Sequence, residues 1–154
     1  MEGDLQIIFD GASTLAYFRK LTATFNEALT SSLEAASTMV SNVMREKASL
    51  GATGDLRASI GFKMTPENLL SEIKPSVGYG DAVETGSKPH WPPIAPLIPW
   101  AEMHGINPYA LQRSISVKGT QPHPYIVPTF VETGPEVPPI FDAGIKTALE
   151  EARL

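Results

Sequence analysis

The side chains that could do chemistry are few and scattered. The histidines are His90, His104 and His123, and no pair has the i, i+4 spacing that sets two imidazoles on one helical face around a metal. His90 and His123 each stand beside proline, where a ring packs on a ring. Glu67, Glu72, Asp81 and Glu84 are near in sequence, but paired acid–base work needs two carboxylates at one cleft, and their spacing predicts a solvated face instead. "VGYGDAVETG" lacks the lysine of a phosphate-binding loop and does not open a clear helix, and no Gly-x-Ser-x-Gly elbow exists. A Ser-His-Asp site assembled from distant positions stays open on composition alone. Cysteine is absent, which removes disulfides, thiolate nucleophiles and thiolate metal ligands. No cofactor is expected.

The aromatic residues are organised differently. Trp91, Trp100, Tyr109, Tyr125 and Phe130 fall between residues 90 and 130, among closely spaced prolines. Rigid aromatics on stiff backbone lose little rotamer freedom on burial, which suits interface anchors as well as core plugs. In "VETGSKPHWPPIAPLIPW" the front half, Val83 to Ile94, reads as an ordered loop presenting Trp91 outward. The back half, Ala95 to Trp100, reads as the return to the core, with Trp100 inside. His90, Trp91, Pro92, Pro93, Tyr125 and Phe130 are the candidate interface residues.

These residues must be positioned by a chain of 154 residues, long enough for one domain with a core. The expectation is a single domain over 1–154. Hydrophobic residues make up 42% and charged residues 19%, which is not a disordered composition. The net charge of -5 and the absence of a basic run argue against a dedicated nucleic-acid binder, but not against passive proximity to DNA. The acidic start "MEGDLQIIFDG" does not read as a signal peptide, and no apolar stretch approaches the roughly 20 residues that span a bilayer.

"LQIIF" (Leu5 to Phe9) reads as an edge strand closed by Asp10-Gly11. Ser13 or Thr14 can cap the helix that follows, because the next stretch to Ser49 holds neither glycine nor proline. Leu15, Phe18, Leu21, Phe25, Leu29, Ala36, Val40 and Val43 recur at three- and four-residue steps. Such a helix is about 55 Å long, longer than a compact domain of this size. It either breaks in "LTSSLEAAS", where hydroxyl residues lower propensity, or packs part of its stripe on a neighbouring subunit. Leu50-Gly51 supplies the stop. Ile60, Phe62 and Met64 alternate as a strand, Thr65 to Asn68 is a turn, and "LLSEIKPSVGYG" is a second strand with Pro75 at an edge. "LIPWAEMHG" and "YALQRSISVKG" predict short helices ending at Gly105 and Gly119. "PYIVPTFVE" reads as a strand or extended segment, "PEVPP" as a stiff connector, and Phe141 to Leu154 as a closing amphipathic helix. The fold class is α+β: a long N-terminal helix and a C-terminal helix packed on a small, mostly antiparallel sheet, with a proline-rich ordered loop.

This order of elements resembles the tail-completion or head–tail joining (neck, minor tail) proteins of lambda-like tailed bacteriophages and related prophages. "TGDLRASI" stands where members carry Thr-Gly-x-Leu-Arg-x-Ser-Ile, on Thr53, Gly54, Leu56, Arg57 and Ser59. "VETGSKPHWPPI" resembles a Glu-x-Gly-Thr segment through Glu84, Thr85 and Gly86. "QPHPYIVPTF" resembles Pro-Phe-Leu-x-Pro-Ala, keeping Pro124 and Pro128, with Tyr125 for the phenylalanine and Thr129 for the alanine. The resemblance implies a virion structural protein without catalysis, forming a ring of six or twelve copies around the DNA channel. Its partners would be itself, neighbouring neck proteins, the tail terminator or tail tube and the head connector, with no membrane. It would sit in the neck or tail of the virion, assembled in the bacterial host cytoplasm. A closed ring needs two unlike faces, and the long helix and the Trp91 loop are the natural pair. The competing expectation is a non-viral adaptor or peptide-binding module using the aromatic-proline loop.

Overall fold

The computed structural model describes residues 10–152, so the expected strand Leu5–Phe9 lies outside the described residues. The first helix, α1 (Gly11–Lys47), runs 37 residues without a break. Asp10 caps it, rather than Ser13 or Thr14. Its Oδ1 accepts from the amides of Ala12 (3.0 Å) and Ser13 (3.4 Å), and the Ser13 hydroxyl turns back onto its Oδ2. The helix survives "LTSSLEAAS" because hydroxyls bond back one turn: Thr30 to the Asn26 carbonyl (2.8 Å) and Ser37 to the Leu33 carbonyl (2.6 Å). These groups are satisfied without leaving the helix, so the propensity penalty stays small. The helix stops at Lys47, before the expected Leu50-Gly51, and Gly51 (φ 60°) serves the turn beyond it.

A short helix α2 (Asp55–Ser59) leads into strands β1 (Ile60–Thr65) and β2 (Leu70–Pro75). They pair antiparallel from Ile60↔Pro75 to Thr65↔Leu70, as the alternation of Ile60, Phe62 and Met64 requires. Ser71 and Ile73 of β2 turn toward α1 while Leu70, Glu72 and Lys74 face water. Two contacts lock the hairpin to α1. Arg45 donates Nε (3.1 Å) and Nη2 (2.6 Å) to the Ile60 carbonyl, and the Ser37 and Ser71 hydroxyls meet at 2.6 Å.

The rest of the chain is helical: α3 (Gly80–Thr85), α4 (Ile98–Met103), α5 (Pro108–Lys118), α6 (Ile126–Thr133) and α7 (Val137–Ala152). Two expectations are corrected here. "PYIVPTFVE" is helix α6, not an extended segment. Pro128 falls in its first turn, where the missing amide leaves no bond unmade. Buried positions then recur as Tyr125, Thr129 and Thr133, a four-residue step. "PEVPP" is not a connector but a 3₁₀ turn (Gly134–Glu136) and the start of α7, again with its prolines in first turns. The segment read as opening no clear helix contains α3.

The core gathers Met44, Ala48, Leu56, Ile60 and Tyr125, with Ile73, Val77, Val83 and Ile126 against it. α7 lies along α1 through small residues. A Cβ placed on Gly144 would stand 2.2 Å from Ser32 Oγ and 3.3 Å from the Ala28 carbonyl, so the glycine lets the two backbones approach. The fold is α+β: a two-stranded sheet and a C-terminal helix arranged around one long helix.

Residues 88–119 form a lobe. They leave and re-enter through one bridge, Ser87↔Thr120, with amide-to-carbonyl distances of 3.2 and 3.1 Å. Gly86 (φ 74°) and Gly119 (φ 72°) flank it. Inside the lobe α4 and α5 pack on each other, with Ala101 and Ile115 buried. Ala95 to Trp100 therefore returns the chain to the lobe's own small core, not to the main one.

Candidate functional site

The histidines do not converge on a catalytic arrangement. His90 Nδ1 lies 2.9 Å from the Lys88 carbonyl and 3.5 Å from Ser87 Oγ. A ring nitrogen that donates to a carbonyl has no lone pair left to take a serine proton. His104 Nδ1 lies 2.8 Å from the Trp100 carbonyl, and its ring stacks on Trp100 at 3.9 Å between centroids. His123 is exposed. Among the described residues no group of three His, Asp or Glu could hold a metal ion. A shallow hollow of about 340 Å³ is lined by Arg45, Glu46, Arg57 and Ala58. Both arginines are committed to backbone carbonyls: Arg45 to Ile60, Arg57 Nε to Ala48 (2.6 Å) and Arg57 Nη2 to Glu46 (3.3 Å).

The phage-like motif residues hold the fold. Gly54 takes φ 73° at the entry to α2, Thr53 Oγ1 donates to Asp55 Oδ2 (2.7 Å), and Ser59 Oγ donates to the Leu56 carbonyl (2.9 Å). Leu56 is in the core, and Arg57 satisfies the carbonyls that the end of α1 leaves free. Gly86 is equally constrained, since a Cβ there would meet the Thr120 carbonyl at 2.5 Å.

Glu84 departs furthest from the sequence reading. It does not join a solvated face. From α3 it reaches the start of α6, and its carboxylate accepts from the amides of Tyr125 (2.6 Å), Ile126 (2.8 Å) and Val127 (3.0 Å). Partial burial pushes its pKa up. The three amides, Ile126 foremost, outweigh that and hold it below the ordinary carboxylate value. Glu67, Glu72 and Asp81 are exposed as expected. A sequence signal for Glu84 existed only in retrospect: a carboxylate one segment away from a proline-containing helix start that lacks its own capping side chain.

The interface candidates divide. Trp91 is 69% exposed and Phe130 75%. His90 and Pro93 are exposed too, while Pro92 is half-buried and its carbonyl accepts from Gln112 Nε2 (2.8 Å). Pro124 is exposed, and Pro128 is half-buried in α6. Tyr125 is withdrawn from the interface set. It is 0% exposed, the largest fully buried side chain described, and its hydroxyl donates to the Gly80 carbonyl at 3.3 Å. Trp100 is half-buried within the lobe. No family model, curated protein or solved structure matches the chain.

Further exposed apolar surface was not legible as such. On α1, residues 11–20 are all exposed, including Leu15, Tyr17 and Phe18. On α6, Val127 and Val131 join Phe130 on the face opposite Tyr125 and Thr129. On the lobe, Tyr109 and Val117 accompany Trp91. No helix described is long and apolar enough to cross a membrane.

Proposed function

We propose that this chain is a structural virion protein of a tailed phage, assembling as a ring at the head–tail interface around the DNA channel, in the role of tail completion or neck. The observation that carries the reading is the distribution of exposed apolar side chains. They sit on unlike surfaces: the overhanging start of α1, the outer face of α6, and the proline-braced lobe with Trp91. Exposed apolar clusters mark association surfaces, and unlike surfaces on one chain suit the heterologous contacts of a closed ring. The phage-like order of the three motifs supplies the context. In that role the protein works by shape, without cofactor or catalysis. It docks against neighbouring neck proteins, the tail terminator or tube and the head connector, in a virion assembled in the bacterial cytoplasm.

Native mass spectrometry and sedimentation velocity across a concentration series test the reading. A closed species of six or twelve copies in the parent, lost or weakened in Trp91→Ala with an unchanged melting temperature, supports it. Trp91→Ala assembling like the parent sinks the interface role. A persistent monomer that instead captures an extended peptide through the lobe favours the adaptor alternative.

A further inference from the structure

Charge sorts the exposed apolar surfaces into partners. The lobe, residues 88–119, carries Lys88, Arg113 and Lys118 against Glu102, all exposed. The segment 120–152, which builds α6 and α7, carries Glu132, Glu136, Asp142, Glu150 and Glu151 against Lys146, also exposed. Glu132 is partly neutralised by Lys47 of α1. The overhang of α1 bears Arg19 and Lys20, the lobe's own sign. A lobe set against another lobe, or against the α1 overhang, therefore meets like charge. A lobe set against the α6–α7 surface meets opposite charge, and both of those surfaces present exposed aromatic anchors, Trp91 and Phe130. Complementary potential favours one pairing and penalises the others by like-charge juxtaposition.

We propose that the lobe of one copy docks on the outer face of α6 of the next copy, head to tail, with Trp91 and Phe130 as the apolar anchors. The occupant of each surface is a second copy of this chain. This rests on the ring reading for the existence of a chain-to-chain contact, and adds which surfaces make it. Because the surfaces differ, each docked copy leaves one of each free, which is the condition for a ring rather than a two-fold dimer.

The test uses two full-length variants that each destroy one surface, Trp91→Asp and Phe130→Asp. Both sites are exposed, so the parent's melting temperature and circular dichroism should persist. Alone, each variant should lose assembly, with apparent affinity weakened at least about tenfold. Mixed, one isotopically labelled, they should form a one-to-one heterodimer and nothing larger, since one intact lobe and one intact α6 face remain. That heterodimer should weaken as NaCl rises from about 0.05 to about 0.5 M, because exposed charge pairs are screened. If the parent assembles but the mixture yields no heterodimer, or Phe130→Asp assembles like the parent while Phe18→Asp does not, the pairing is wrong and the ring reading stands. If the parent stays monomeric throughout, both fail.

Discussion

Glu84 sits where a single atom change should be felt across the molecule. Its carboxylate takes three consecutive amides at the start of α6 and so holds Tyr125, the largest fully buried side chain described, in the core. Glu84→Gln keeps the shape but removes the charge and one accepting oxygen. One amide then faces an NH₂ group, and the other two lose their charge assistance. Hydrogen bonds to charged groups contribute roughly 1.5–3 kcal/mol each, against about 1 for neutral ones. The helix N-terminus adds about 0.3–1 kcal/mol for a negative charge. Discounted for the partial exposure of the carboxylate, the expected loss is about 2 kcal/mol, and about 3–4 for Glu84→Ala. At roughly 2–4 °C per kcal/mol for a chain of this size, Glu84→Gln should lower Tm by about 6 °C at pH 7. The pH dependence has a definite sign. The folded pKa is lowered, so the stabilisation is fully present above the unfolded carboxylate value and is lost as pH falls through the folded one. The gap between parent and Glu84→Gln should therefore narrow in acid, starting near the ordinary carboxylate value. Scanning calorimetry of both proteins from neutral to acid pH is the assay. A variant within about 1 °C of the parent at pH 7, or a gap that does not narrow in acid, refutes the capping account.

Other substitutions probe the remaining contacts. Gly144→Ala pushes a methyl into Ser32 Oγ and against the Ala28 carbonyl, and should cost about 1–2 kcal/mol in urea unfolding, with most of it recovered by adding Ser32→Ala. Gly119→Ala meets both an unfavourable φ and the Ser87 carbonyl at 1.9 Å, so it should open the bridge and make residues 88–119 cleave faster in limited proteolysis. Arg57→Ala leaves the carbonyl of fully buried Ala48 without its donor and should destabilise by about 1–3 kcal/mol, whereas Arg113→Ala on the lobe surface should leave Tm unchanged.

Much of the architecture is legible in local pattern. The long helix follows from an uninterrupted run of helix-compatible residues with apolar steps of three and four. The hairpin follows from alternation on either side of Thr65 to Asn68. Asn107-Pro108 and Gly119 bracket α5 because cap and stop chemistry is local, with Asn107 Oδ1 accepting from the Tyr109 amide at 2.9 Å. The failures share one cause. Prolines at 128, 135, 138 and 139 argue against helix only if they fall inside one, and in first turns they do not. Which turn they occupy depends on where the helix begins, and α6 begins where Glu84, some forty residues earlier, supplies the cap. The same long-range contact moved Glu84 from the solvent to a structural position and Tyr125 from the surface to the core.

The sequence by itself determined the helical frame, the hairpin and its register, the absence of thiol chemistry, and the exposure of Trp91. Each of these depends on residues a few positions apart, or on composition alone. Only the tertiary structure decided that the hydroxyl-rich middle of α1 stays helical under α7 and the hairpin, and that Tyr125 is core while Phe130 is surface. It also decided that residues 88–119 fold as a lobe held by one bridge. Those outcomes turn on which distant groups come within hydrogen-bonding or van der Waals distance, and that proximity is a property of the packed chain rather than of any stretch of it.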